Sequence, residues 1–132
     1  ALLNQVAAWN RRHAAERTED SRLEARIANY ELAFRMQTAA PQLVDLGGET
    51  AATHQLYGLD AAPTERFGRM CLLARRMVER GVRYIQLFCS DWDGHGDCAG
   101  GHRAAAAAID RPIAGLLSDL AQRGLLDSTL VI

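Results

Sequence analysis

The sequence predicts an α/β fold, mostly helical, with a β-α-β unit in its C-terminal half. Three observations carry this. Helical apolar periodicity dominates the chain; the run VRYIQLF follows a glycine helix stop; and STLVI lies one alanine-rich helix further on. The order helix, strand, loop, helix, strand favours parallel strands joined by a right-handed crossover, and ligands of open α/β sheets bind at the loops leaving the strand ends.

The elements follow in order. Leu2, Leu3, Val6 and Ala7 open an amphipathic helix ending near His13. After the charged junction RTEDS, Thr18, Asp20 or Ser21 caps a second helix, Ser21 and Glu24 having capping-box spacing. Its apolar face is Leu23, Ile27, Tyr30 and Phe34, and it is expected to stop before Pro41. Between Pro41 and Pro63, Glu49 or Thr50 starts a short helix that ends near Gly58.

Thr64 is then expected to cap a stronger helix. Phe67, Met70, Cys71, Ala74, Met77 and Val78 form its buried stripe, Arg75, Arg76, Glu79 and Arg80 face outward, and Gly81 is its left-handed stop. Val82 to Phe88 has the composition of a strand covered on both faces. Gly101 to Ile109 is helical by alanine content, and Pro112 predicts a kink or a restart capped by Asp110. Ile113, Leu116, Leu117 and Leu120 carry the stripe to Gly124, and Ser128 to Ile132 begins the second strand. Residues 1–63, a helical segment with its connector, and 64–132 are read as parts of one larger domain. The opening within a helical pattern and the end within a strand-like one read as a piece of a longer protein.

A chain of 132 residues suits one compact domain. A formal charge of -1 offers no field for nucleic acid or an anionic membrane, and no apolar run reaches the length of a membrane span. All fifteen basic residues are arginine, which excludes lysine chemistry. Cys71, Cys89 and Cys98 are too few and too irregular for a disulfide framework; free thiols are expected, with a Cys89–Cys98 pair the alternative in an oxidising compartment.

The densest chemistry is SDWDGHGDCAGGH, Ser90 to His102. Carboxylate and imidazole donors suit zinc, manganese or iron, and glycines let a loop wrap closely around a cation. Asp93 and His95 can face one ion across Gly94, Asp91 and His95 offer a second spacing, and His102 is within reach from the next helix. The same composition also describes a solvated turn in which Asp91, Asp93 and Asp97 cap backbone amides. His13 and His54 lie in ordinary helical contexts.

The segments CLLARRMVERGVRYIQLFCSDWDGHGD and IDRPIAGLLSDLAQRGLLDSTLVI, with YELAFRMQTAAPQLVDLGGET and QLYGLD upstream, resemble the domain of unknown function 1501 family, which is sulfatase-like and belongs to the alkaline-phosphatase superfamily. The resemblance spans nearly the whole chain. It implies part of a three-layer α/β fold, a divalent metal, zinc or manganese, and a phosphate or sulfate ester as substrate of the longer protein, which it implies is exported. Asp93 and His95 fall on the metal-ligand segment and Asp110 on the helix after it. The D-x-H spacing is shorter than the superfamily's, so Asp91, Asp93 and His102 compete to complete the set, His102 alternatively acting as proton donor to the leaving group. The remaining ligands and the nucleophile are expected outside this chain, which alone is then inactive and, with unpaired strands, prone to self-association. The alternative is a non-catalytic helical interaction or scaffold module of an exported protein, its loop binding nothing.

Overall fold

A computed structural model describes residues 2–17, 21–90 and 92–132, with the side chains of these residues except Leu2, Leu3, Ser21, Met36, Thr38 and Ala39. The cap candidates Thr18 and Asp20 lie outside that set. The chain forms two compact units, residues 1–42 and 43–132.

The first unit holds helix α1, Leu2–Ala15, and most of α2, Ser21–Val44. Leu23 and Ile27 of the expected α2 face are half-buried, while Tyr30 and Phe34 are exposed. Helix α2 runs through Pro41 instead of ending before it. Only three residues follow that proline, so the ring removes one hydrogen bond from a final turn that is already poorly bonded.

The second unit is built from α3 (Ala51–Leu56), α4 (Ala62–Glu79), α5 (Cys98–Gln122) and a 3-10 turn, Leu126–Ser128. Helices α4 and α5 pack along their length, and Leu46, Tyr57, Cys71, Leu72, Leu116 and Leu120 form the core. All three helices end alike. Gly58, Gly81 and Gly124 take positive φ of 70, 76 and 66 degrees. In each case the amide after the glycine bonds back into the last turn: Leu59 to the His54 carbonyl, Val82 to Met77 and Leu125 to Leu120. This closure satisfies carbonyls that the helix leaves open, and only glycine enters the conformation without a Cβ penalty.

Helix α3 starts as its sequence indicates, the Thr50 hydroxyl accepting from the Thr53 amide at 3.1 Å. Thr64 does not cap α4. The helix begins three residues after Leu59, at Ala62, with Pro63 in its first turn, while buried Thr64 donates to the Gly58 and Ala61 carbonyls. Helix α5 neither breaks nor restarts at Pro112, whose ring is among the most deeply buried groups of the chain. Ring burial offsets the lost bond.

Tyr57 is fully buried because two glycines let backbone approach it from both sides. A Cβ on Gly68 of α4 would stand 2.0 Å from the Tyr57 carbonyl oxygen, and one on Gly115 of α5 would stand 2.5 Å from the Leu56 carbonyl oxygen.

The α/β expectation is overturned: among the described residues no strand forms, so neither the β-α-β unit nor a three-layer arrangement is present. Val82 to Phe88 makes no ladder, and Val82, Tyr84 and Phe88 are exposed. In the other predicted strand, Ser128 closes the 3-10 turn and Leu130 to Ile132 are exposed. The physical reason lies in how each element satisfies its backbone. A helix bonds within its own segment, whereas a strand exists only as one of a pair, and β-branched composition reports fit to a covered surface rather than a backbone state. No helix among the described residues is long and apolar enough to cross a membrane.

Arg75 faces inward, against expectation, and is 3% exposed. Its guanidinium reaches Glu49 at 2.7 Å, Glu79 at 2.8 Å and Asp119 at 3.1 Å. Each carboxylate has a second arginine: Arg76 on Glu49 at 2.9 Å, and Arg123 on Glu79 and Asp119 at 2.7 Å each. The Tyr57 hydroxyl donates to Asp119 at 2.9 Å. Three arginines against three carboxylates leave the cluster neutral, the condition under which charge tolerates burial. Burial opposes the Arg75 charge, but hydrogen bonds to Glu79 and Glu49 outweigh it and raise its pKa. Burial, then the Asp119 hydrogen bond, push the Tyr57 phenol well above its ordinary range.

Candidate functional site

The loop between the α4 and α5 sections is where the chain's donors concentrate. Asp97 closes it by capping α5, its carboxylate accepting from the Gly100 amide at 2.9 Å. That is the capping role the solvated-turn reading assigns to one of its aspartates. A carboxylate there also faces the positive end of the helix dipole.

Two of the predicted ligands meet. Asp93 Oδ2 lies 3.1 Å from His95 Nε2, and both side chains stand in solvent, 88% and 86% exposed. They converge across Gly94 as the D-x-H spacing requires. Asp91 lies outside the described residues. Asp110, on α5, is exposed and lines a shallow apolar hollow with Ala106, Ala107, Ile109 and Ile113.

His102 lies on the second turn of α5. Its Nδ1 is 2.8 Å from the Cys98 carbonyl oxygen and 3.4 Å from Cys98 Sγ. The Trp92 ring meets it edge-on, centroids 5.7 Å apart and planes at 61 degrees. Among the described residues no group of three or more His, Cys, Asp and Glu side chains converges as a metal cage. Asp93 and His95 are the predicted ligands that meet directly.

The three cysteines are free, Cys71 buried and Cys89 and Cys98 exposed. Burial pushes the Cys71 thiol up to about 12. His13 pairs with Arg17 at 2.7 Å, one helical turn away, and His54 belongs to α3.

Two features of the loop lie beyond its donor pattern. Cys98 and His102 are four apart, a spacing that places two side chains together on any helix and was legible once α5 was known to start at Cys98. The contact of Trp92 with His102 links a loop residue to a helix residue ten positions on, and no local signal announces it.

What the donors suit follows from their chemistry. A carboxylate and an imidazole are donor types that zinc or manganese accepts, and a catalytic zinc site keeps three protein ligands. No curated protein and no solved structure matches the chain significantly. The family described as Protein of unknown function (DUF1501) matches residues 1–132, the whole chain, and the chain belongs to that family.

Proposed function

We propose that the loop from Ser90 to His102 carries part of a divalent-cation site used to hydrolyse a phosphate or sulfate ester. The observation that supports it best is the meeting of Asp93 and His95 at 3.1 Å on an open face of the chain. Asp93 and His95 would hold a zinc or manganese ion, Asp91 being the further candidate ligand. A cation bound there supplies Lewis acidity toward an ester oxygen and stabilises developing negative charge. His102, on the second turn of α5, would serve either as a proton donor to the leaving group or as a further ligand. Two converging donors are fewer than a catalytic cation requires, so residues 1–132 alone are expected to bind metal weakly and to turn over no ester.

Calorimetric titration with Zn²⁺ and Mn²⁺ tests this on the wild type, Asp93→Ala and His95→Ala. A single weak binding event that disappears in both variants is expected. Identical isotherms in all three proteins would refute the site.

A second reading, a non-catalytic helical interaction module, is favoured by exposed aromatic and apolar side chains on the first unit, Trp9 at 64% and Tyr30 at 72%. Contiguous exposed apolar patches mark contact surfaces, and aromatics are enriched among the residues that carry their binding energy. The same titration separates the two, since this reading requires no metal response at residues 93 and 95.

A further inference from the structure

We propose that the Asp93–Gly94 linkage is a modification site, where the chain rearranges through a cyclic imide to an isoaspartyl bond, and that His95 assists by holding the carboxylate oxygen that leaves. The proposal is independent of the ester-hydrolysis reading, since it needs neither a cation nor an ester.

The reaction joins an aspartate side-chain carbon to the amide nitrogen of the next residue. It therefore requires a following residue without bulk, an amide that is not already hydrogen-bonded, and backbone free to turn. Asp93 is the only aspartate in the sequence followed by glycine. Trp92, Asp93 and Gly94 belong to no helix or strand, and all three are exposed. Among the described residues the Gly94 amide has no hydrogen-bond acceptor. Other aspartates lack this freedom. Asp97, in the same loop, accepts from the Gly100 amide, and the amide that follows it, on Cys98, is bonded to the Gly96 carbonyl at 3.0 Å. The amide after Asp127 is bonded to the Leu125 carbonyl at 3.3 Å, and Asp110 and Asp119 lie within α5.

His95 adds what composition alone does not. Its Nε2 lies 3.1 Å from Asp93 Oδ2, and a carboxylate oxygen only accepts, so Nε2 carries the hydrogen. The bond draws electron density from Cγ, favouring attack there, and marks Oδ2 as the leaving oxygen. Both side chains are almost fully exposed, so the contact does not lock the carboxylate in place.

In the first step the Gly94 nitrogen bonds to Asp93 Cγ and gives up its hydrogen. The Cγ–Oδ2 bond breaks, and Oδ2 takes that hydrogen and a solvent proton and leaves as water. In the second step water adds to the imide. Addition at Cγ restores aspartate; addition at the backbone carbonyl carbon breaks its bond to the Gly94 nitrogen and leaves the main chain running through Cβ and Cγ. Nothing is oxidised or reduced. The product is longer by one methylene in its main chain and carries its free carboxylate directly on Cα, out of the present contact with His95.

Prolonged incubation of the wild type, Gly94→Ala and His95→Ala at neutral pH and physiological temperature tests this. Trypsin then releases the segment Tyr84 to Arg103, in which electron-transfer fragmentation locates any isoaspartate. Alanine fits at position 94, where an added Cβ meets nothing nearer than Cys98 Cα at 3.5 Å, so that variant tests reactivity and not folding. The wild type is expected to accumulate isoaspartate at position 93 and not at 97, Gly94→Ala to lose it several-fold, and His95→Ala to form it more slowly. No isoaspartate at 93 in the wild type, an equal yield in Gly94→Ala, or a higher yield at 97 than at 93 would overturn the proposal. An unchanged rate in His95→Ala would overturn the part assigned to the imidazole.

Discussion

Replacing Gly68 with alanine is expected to destabilise the second unit, although alanine is the better helix former. Propensity alone gives Gly68→Ala a gain of about 1 kcal/mol. Against it stands the new Cβ, 2.0 Å from the Tyr57 carbonyl oxygen, where ordinary van der Waals contact begins at 3.4 Å. The obstacle is backbone, not the end of a flexible side chain. It cannot retreat freely, because Gly115 holds the Leu56 carbonyl from the other helix. Overpacking of this kind costs about 1–3 kcal/mol, and occasionally more. The closeness of the clash places it at the upper end, which leaves a net loss of about 2 kcal/mol after the propensity gain. With a urea slope of about 1–3 kcal/mol per molar, the midpoint drops by about 1 M. The control is Gly101→Ala, inside α5 with nothing within 4 Å of the added carbon, expected to stabilise by about 0.5–1 kcal/mol. Urea unfolding followed by far-UV circular dichroism measures both. Shifts of the same sign for the two substitutions would refute the claim that Tyr57 is seated in paired glycine notches.

The ion cluster and the buried acids give two further tests. Arg75→Met removes the arginine shared by Glu49, Glu79 and Asp119 and is expected to cost about 3 kcal/mol, whereas Arg123→Met, at a 39% exposed side chain, costs about 1 kcal/mol or less; equal losses in urea unfolding would contradict the cluster's burial. Raised folded-state pKa values confer stability that is present below the unfolded value and lost as pH rises. Burial moves Cys71 from 9.0 to about 12, and Tyr57 also rises from 10.0. The melting temperature is therefore expected to begin falling near pH 9 and to fall more steeply above pH 10. Cys71→Ala is expected to remove the first part of that decline, and an unchanged pH profile in that variant would contradict the assignment.

The helical framework of the second unit was legible because its signals are local. Thr50 starts α3, and Gly58, Gly81 and Gly124 stop three helices by one backbone device. The α4 stripe led to buried Cys71 and Ala74, though its neighbour Leu72, fully buried, belongs to the same core. Arg75 was misplaced because an arginine on a helix faces water unless carboxylates from other elements meet it, and here Glu49 and Asp119 arrive from outside α4. At the loop, the D-x-H spacing brought Asp93 to His95 as local geometry allows, while the hold of Trp92 on His102 depends on how the loop folds back over α5.

Residue order by itself determined the helices of the second unit, their glycine stops, the absence of lysine chemistry and the concentration of cation-binding donor types between Ser90 and His102. Tertiary structure alone decided that Val82 to Phe88 and Ser128 to Ile132 form no sheet, that Arg75 lies inside, and that the Trp92 ring meets His102. The division follows the range of the interactions. Helices and their caps are completed within a few residues, but strand pairing, charge burial and the convergence of ligands each require a partner from elsewhere in the chain.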